Sequence, residues 1–172
     1  MEMVVGIAVG SLVLSSVMVI FLTSSRSFEI LGDYVLMDRS SRNAMDHMTR
    51  EIRKSYDVLS FTTNVLKLKY DSAGTTNLVY QWSTNTLQLT EQWIKSGTTN
   101  TSILMTNCDS LVFSMFMNGT VPNSSTYSNA LTTNATKMVS VAWTCSRTVL
   151  GKKLATEDMQ EAQVVMRNKI VQ

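Results

Sequence analysis

The sequence predicts an α+β fold: a long N-terminal helix, membrane-spanning in its first half and amphipathic in its second, packed on an antiparallel β-sheet. Three observations predict it. No residue from Met3 to Leu22 is charged. From there to Leu59 the chain has no proline and its apolar residues return at helical steps. After Leu59 the apolar period falls to two, with turn residues between the alternating runs. The chain therefore divides into a transmembrane helix over 1–23, its soluble continuation over 24–58 and an antiparallel sheet domain over 59–172.

The first element is long enough to cross a bilayer, since about 20 apolar residues at a rise of ~1.5 Å each match the hydrocarbon thickness. Ser11, Ser15 and Ser16 are its only polar interruptions, where a soluble core helix would show a polar face. A cleavable signal would carry a basic start and a small-x-small cleavage site, and this stretch has neither. Gly6 and Gly10 form a GxxxG step, which lets a second helix approach closely in lipid. Glu2 opens the helix, where the macrodipole favours an anion by ~0.3 to 1 kcal/mol. Glu2, Gly6 and Gly10 are thus the candidate assembly residues. Arg26 follows the span and no basic residue precedes it, a bias that would by itself place the body in the cytoplasm.

The second element keeps an apolar stripe through Phe28, Leu31, Val35, Met45, Met48, Ile52, Tyr56 and Leu59, with Asp38 and Arg42 filling its middle. Asp38 to Arg42 and Asp46 to Arg50 are i,i+4 opposite charges, each worth ~0.2 to 0.5 kcal/mol on an exposed face. A continuous helix to Tyr56 would run roughly 80 Å, so its outer half needs a sheet to cover the stripe. Gly32 is the expected site of a bend or local melting, costing ~1 kcal/mol relative to Ala. His47, the single histidine, reads as a solvated helix residue.

Strands are expected at "VLKLKYD", "NLVYQW", "TLQLTEQWI", "SILM", "DSLVFSMFM", "KMVSVAWTCSRTV" and "QEAQVVMRNKIV". The polar Ser83 to Asn85 makes a hairpin of the second and third, "SGTTNTS" breaks the chain before the fourth, and residues 118–136 read as a long polar loop. Cys108 and Cys145 are too far apart for a CxxC site. Cys145 continues the alternating face of Val139, Val141 and Trp143, which fits a buried thiol; a disulfide between the two strands is the alternative, open in an oxidising compartment.

Composition excludes several function classes. The net charge of +2 over 172 residues comes without a basic stripe, which argues against a nucleic-acid partner. No phosphate loop, GxSxG or HExxH occurs, and Glu157 with Asp158 is the one adjacent pair among 13 carboxylates. The sequence accordingly predicts no catalytic residue, no metal ligand and no cofactor.

A span opened by Glu, continued by an amphipathic helix and completed by a sheet resembles the type IV pilin-like proteins. In that family the mature chain begins Phe-Thr-Leu-x-Glu behind a basic leader ending in Gly, and "MEMVVGIAVGSLVL" is similar to such a segment with Met1 in the place of x. A start codon assigned too late would account for the difference and would restore the expected charge bias. Arg42, Ala44, Met48, Arg50, Glu51, Ile52 and Arg53 match the R-x-A-x-x-x-M-x-R-(D/E)-I-R pattern of J-type minor pseudopilins and W-type minor pilins. "LVYQWSTNTLQL" is similar to that subgroup's Tyr-containing hairpin, and "QVVMRNK", with Arg167 and Asn168, to its terminal strand.

The resemblance implies a single-pass inner-membrane protein with a periplasmic body. It implies extraction by an assembly platform into a type II secretion or type IV pilus filament; the family's leader cleavage and N-methylation need the Phe-Thr-Leu and leader that the sequence as given does not carry. Its partners would be other pilin-like subunits, met through the N-terminal helix, and membrane lipid. It also implies that Glu2 pairs with the terminal amine of a neighbouring subunit, since an unpaired acidic group at mid-bilayer costs ~2.5 to 3.5 kcal/mol. The competing reading is a membrane-anchored extracytoplasmic binding module or adhesin that never enters a filament.

Overall fold

The computed structural model describes residues 2–118, 127–130, 132–149, 152–155 and 160–167. Helix α1 runs over Glu2–Lys54 with no melted turn at Gly32, where a bend or local melting was expected. The strands follow as β1 (Asp57–Phe61), β2 (Val65–Lys69), β3 (Thr76–Ser83), β4 (Gln88–Lys95), β5 (Thr98–Met105), β6 (Cys108–Asn118), β7 (Tyr127–Asn129), β8 (Met138–Val149), β9 (Lys152–Ala155) and β10 (Gln160–Val165). The fold is α+β, as the period change predicts. Its strands form two sheets rather than one: a meander in the order β1-β2-β3-β4-β5, and a second sheet in the order β10-β8-β6-β7 with β9 paired to β8.

The chain comprises two compact units, Met1–Asp38 and Arg39–Gln172. The first is helix alone, and its apolar side chains from Met3 to Leu22 are exposed. In the second unit, Ser41, Ala44, Met48, Glu51 and Ile52 form the buried face of the helix. They recur at three- and four-residue steps, as one face of a helix must. The sheets supply the rest of the core by alternation: Leu66 and Leu68 from β2, Leu78 and Tyr80 from β3, Leu111 and Phe113 from β6, and Val139, Val141, Trp143 and Cys145 from β8. The indole of Trp143 donates to Ser41 Oγ at 2.7 Å, which satisfies two buried polar groups at the contact of β8 with α1.

Two expected boundaries move. The helix stops at Lys54, so Tyr56 and Leu59, assigned to its stripe, lie beyond it, and Leu59 belongs to β1. Ser55 ends the helix by turning its hydroxyl back to the Glu51 carbonyl at 2.9 Å. Tyr56 N then donates to Lys69 O at 2.9 Å, so the next residue already belongs to a strand ladder. The second shift is at β5. The break expected over "SGTTNTS" is a two-residue turn, Ser96 at φ 48° and Gly97 at φ 84°, and Thr98 to Ser102 continue as strand. Two consecutive positive φ values define the tight hairpin whose twist matches its strands, and glycine accommodates the second without strain. As the edge of its sheet, β5 is polar and exposed, which hides it from an apolar-alternation reading.

The sheets meet at β6. Cys108 N donates to Leu87 O at 2.9 Å, Phe113 N to Thr63 O at 3.2 Å, and the Trp82 indole to Cys108 O at 3.0 Å. Of the expected polar loop over 118–136, β7 and the stretch from Thr132 are described. The Glu157 and Asp158 pair and Asn168 lie outside the described residues.

Candidate functional site: the apolar helix and the carboxylates beneath its continuation

The N-terminal unit has one chemical character. Glu2, Gly6 and Gly10 stand at i, i+4 and i+8 and so lie one above another on a single helix face. A Cβ built at Gly6 or Gly10 meets nothing within 4 Å, so neither glycine is required by the packing of this chain. The hydroxyls within the apolar run are satisfied inside the helix: Ser11 Oγ donates to Ala8 O at 2.8 Å, Ser15 Oγ to Ser11 O at 2.8 Å and Ser16 Oγ to Leu12 O at 2.9 Å. Such back-bonding removes the penalty of carrying a hydroxyl into hydrocarbon. α1 is long and apolar enough to cross a membrane once.

The second unit contains a polar network that the sequence reading missed. Glu91 is 4% exposed, on the core-facing phase of β4 that also carries Leu89. Register explains how it is tolerated: Glu91 sits opposite Tyr80 of β3 on one side and Ser102 of β5 on the other. Tyr80 OH donates to Oε1 at 3.2 Å and Ser102 Oγ to Oε2 at 3.4 Å. His47 Nε2, from α1, lies 2.9 Å from Oε1. A carboxylate only accepts, so Nε2 carries the proton in this contact. His47, expected to be solvated, is therefore turned to the sheet. Burial, and after it the charge of Glu91, push the Tyr80 hydroxyl well above its ordinary titration range.

A second carboxylate, Glu51, belongs to the same helix face. Its Oε2 accepts the Tyr70 hydroxyl at 2.6 Å and its Oε1 the Lys54 ammonium at 3.1 Å. Burial works to raise its pKa, but the Tyr70 hydrogen bond, Lys54 and then His47 together hold it below the usual carboxylate range. Burial first, and Glu51 second, push Tyr70 up to about 12. The Tyr70 ring stands edge-on to Trp93 at 4.6 Å between centroids, which fixes its direction. Chemically, this network can hold α1 in one register on β2, β3 and β4. Among the described residues no group of three or more His, Cys, Asp and Glu side chains gathers as a metal site.

On the outer face of the same helix stretch, Asp46, Thr49, Arg50, Arg53, Lys54 and Arg167 line a cleft of about 490 Å³. Arg167 is brought there as its backbone N–H donates to Arg53 O at 3.3 Å. Arg53 and Lys54 also oppose the negative end of the helix dipole.

Comparison with models of known protein families finds no match, and comparison with curated proteins finds none.

Proposed function

We propose that this protein is a minor pilin or pseudopilin, a structural subunit that initiates or tips a type II secretion or type IV pilus filament assembled from the inner membrane, its globular part in the periplasm. The observation that carries this reading is the N-terminal unit. It is an apolar helix with its side chains exposed, opened by a carboxylate in line with two glycines whose missing Cβ atoms serve nothing within the chain. A surface of that kind is built to be covered by lipid at one stage and by similar helices at another. The role is mechanical: Glu2 finds an amine on a neighbouring subunit, and Gly6 and Gly10 let the helices close.

The test replaces Glu2 by Ala and by Gln and measures the share of subunit recovered in sheared filaments. Incorporation falls at least tenfold in both variants, while the membrane fraction and the unfolding of the globular part stay unchanged. Incorporation at the wild-type level would sink the proposal. The cationic cleft favours the second reading, a membrane-anchored extracytoplasmic binding module, which Arg53→Glu with Arg167→Glu would disable without touching filament entry.

A further inference from the structure

The chain has two cysteines, 108 and 145, and the sheet register sets them directly opposite each other on β6 and β8. Opposed pairs in an antiparallel ladder alternate between a wide, hydrogen-bonded kind and a narrow kind with Cα atoms ~4.5 Å apart. Two backbone contacts show which kind this is. Ser146 N donates to Asn107 O at 3.1 Å, the bond that brackets a narrow pair. Cys108 N donates away from β8, to Leu87 O at 2.9 Å, and the register of β6 on β8 shifts only after this pair, between Cys108 and Ser110. The narrow spacing falls in the ~4.4 to 6.8 Å range that a disulfide bridges. Both thiols are buried, at 0% and 2% exposure; Cys108 Sγ donates to Ser110 O at 3.3 Å and Cys145 Sγ to Met105 Sδ at 3.3 Å.

We infer that Cys108 and Cys145 form a cross-strand disulfide when this protein folds in an oxidising compartment. Two S–H bonds break and one S–S bond forms; the two electrons reduce a disulfide-bearing oxidant, a protein or small-molecule disulfide, to its dithiol. One thiolate of the pair attacks the oxidant to give a mixed disulfide; the other thiol then loses its proton, attacks that cysteine's sulfur and expels the oxidant's thiolate. Since the closed sheet buries both sulfurs, the exchange takes place before β6 and β8 have zipped, and the finished bond is shielded from later reduction. Cys108 is itself tied to the first sheet through Leu87 and Trp82, so the bond secures β8 to both sheets at their junction. The compartment rests on the periplasmic reading above; the pairing does not.

The experiment uses the full chain, quenched on cell lysis with N-ethylmaleimide in denaturant so that buried thiols react, and measured by intact mass under denaturing, non-reducing conditions. A parallel sample is fully reduced and refolded in a glutathione redox buffer. The expected result is no maleimide adduct, a mass lower by two hydrogens and one tryptic peptide pair joining Ser96–Lys137 to Met138–Arg147. Dithiothreitol should lower the Tm by roughly 5 to 15 °C, and a Cys108→Ser, Cys145→Ser double variant should show no such response. Two maleimide adducts on the native protein, with the bond forming on redox refolding, would support the pairing and overturn the periplasmic body. Two thiols, or intermolecular bonds only, after redox refolding would overturn the disulfide itself.

Discussion

His47 Nε2 and Glu91 Oε1, 44 residues apart in sequence, meet at 2.9 Å and place a helix donor against a carboxylate buried in the sheet. Removing His47 leaves Glu91 buried with only the Tyr80 and Ser102 hydroxyls to offset its desolvation, whereas replacing both partners removes much of that cost. His47→Ala should therefore destabilise the globular part by about 1 to 3 kcal/mol, a figure kept low because the imidazole is partly solvated. His47→Ala with Glu91→Gln should fall well short of the summed single effects. A urea-denaturation double-mutant cycle measures this, and additivity within about 0.5 kcal/mol would show that the contact carries no coupling.

The Glu51 and Tyr70 pair predicts stability losses at both ends of the pH scale. The folded pKa of Glu51 is depressed, so its stabilising contribution is present above its ordinary value of 4.5 and disappears as pH falls through the folded value. Tyr70 is raised from 10.0 to about 12, so its contribution is present below 10.0 and lost as pH rises through that window. Thermal melts should show that Glu51→Gln flattens the acid limb and Tyr70→Phe the alkaline limb. An acid limb unchanged in Glu51→Gln would assign that loss to other carboxylates.

Gly6→Leu and Gly10→Leu separate packing within the chain from packing between chains. Nothing lies within 4 Å of either Cβ position, so the helix should tolerate both and gain about 1 kcal/mol of helix propensity at each. Helix–helix association in bicelles, read by energy transfer between labelled copies, should weaken at least tenfold, about 1.4 kcal/mol. Equal association by the leucine variants would mean that the two glycines are incidental.

Much of the fold was legible in the chain because it depends on short-range pattern. The uncharged run and the switch of period from helical to two mark α1, β2, β3, β4, β6 and β8, and the phase of Val139, Val141, Trp143 and Cys145 picks out side chains that are buried. The pattern failed where a partner strand sets the outcome. Residue 56 continued a plausible helical stripe, yet Lys69 captures its amide and starts a ladder. The "SILM" half of β5 was legible, but its polar first half, Thr98 to Thr101, has no apolar phase to detect, because an edge strand is held by backbone bonds to β4.

The same divide runs through the candidate sites. Glu2, Gly6 and Gly10 are visible in sequence because one helix and its spacing define their face. Glu91 showed only as a carboxylate in the apolar phase of "TLQLTEQWI", and His47 only as a polar residue one place from the stripe. Their meeting needs the register of three strands and the placement of a helix over them. Cys108 and Cys145 follow the same rule: sequence left them as buried thiols or a bridge, and only the pairing of β6 with β8 sets the two opposite each other. By itself the sequence determined the apolar span, the long helix and the strands with an apolar phase, since those follow from local periodicity. Only the tertiary structure decided which buried polar groups and sulfurs meet, because register is set by the whole set of pairings and a slip of one residue would turn each of these side chains to the other face.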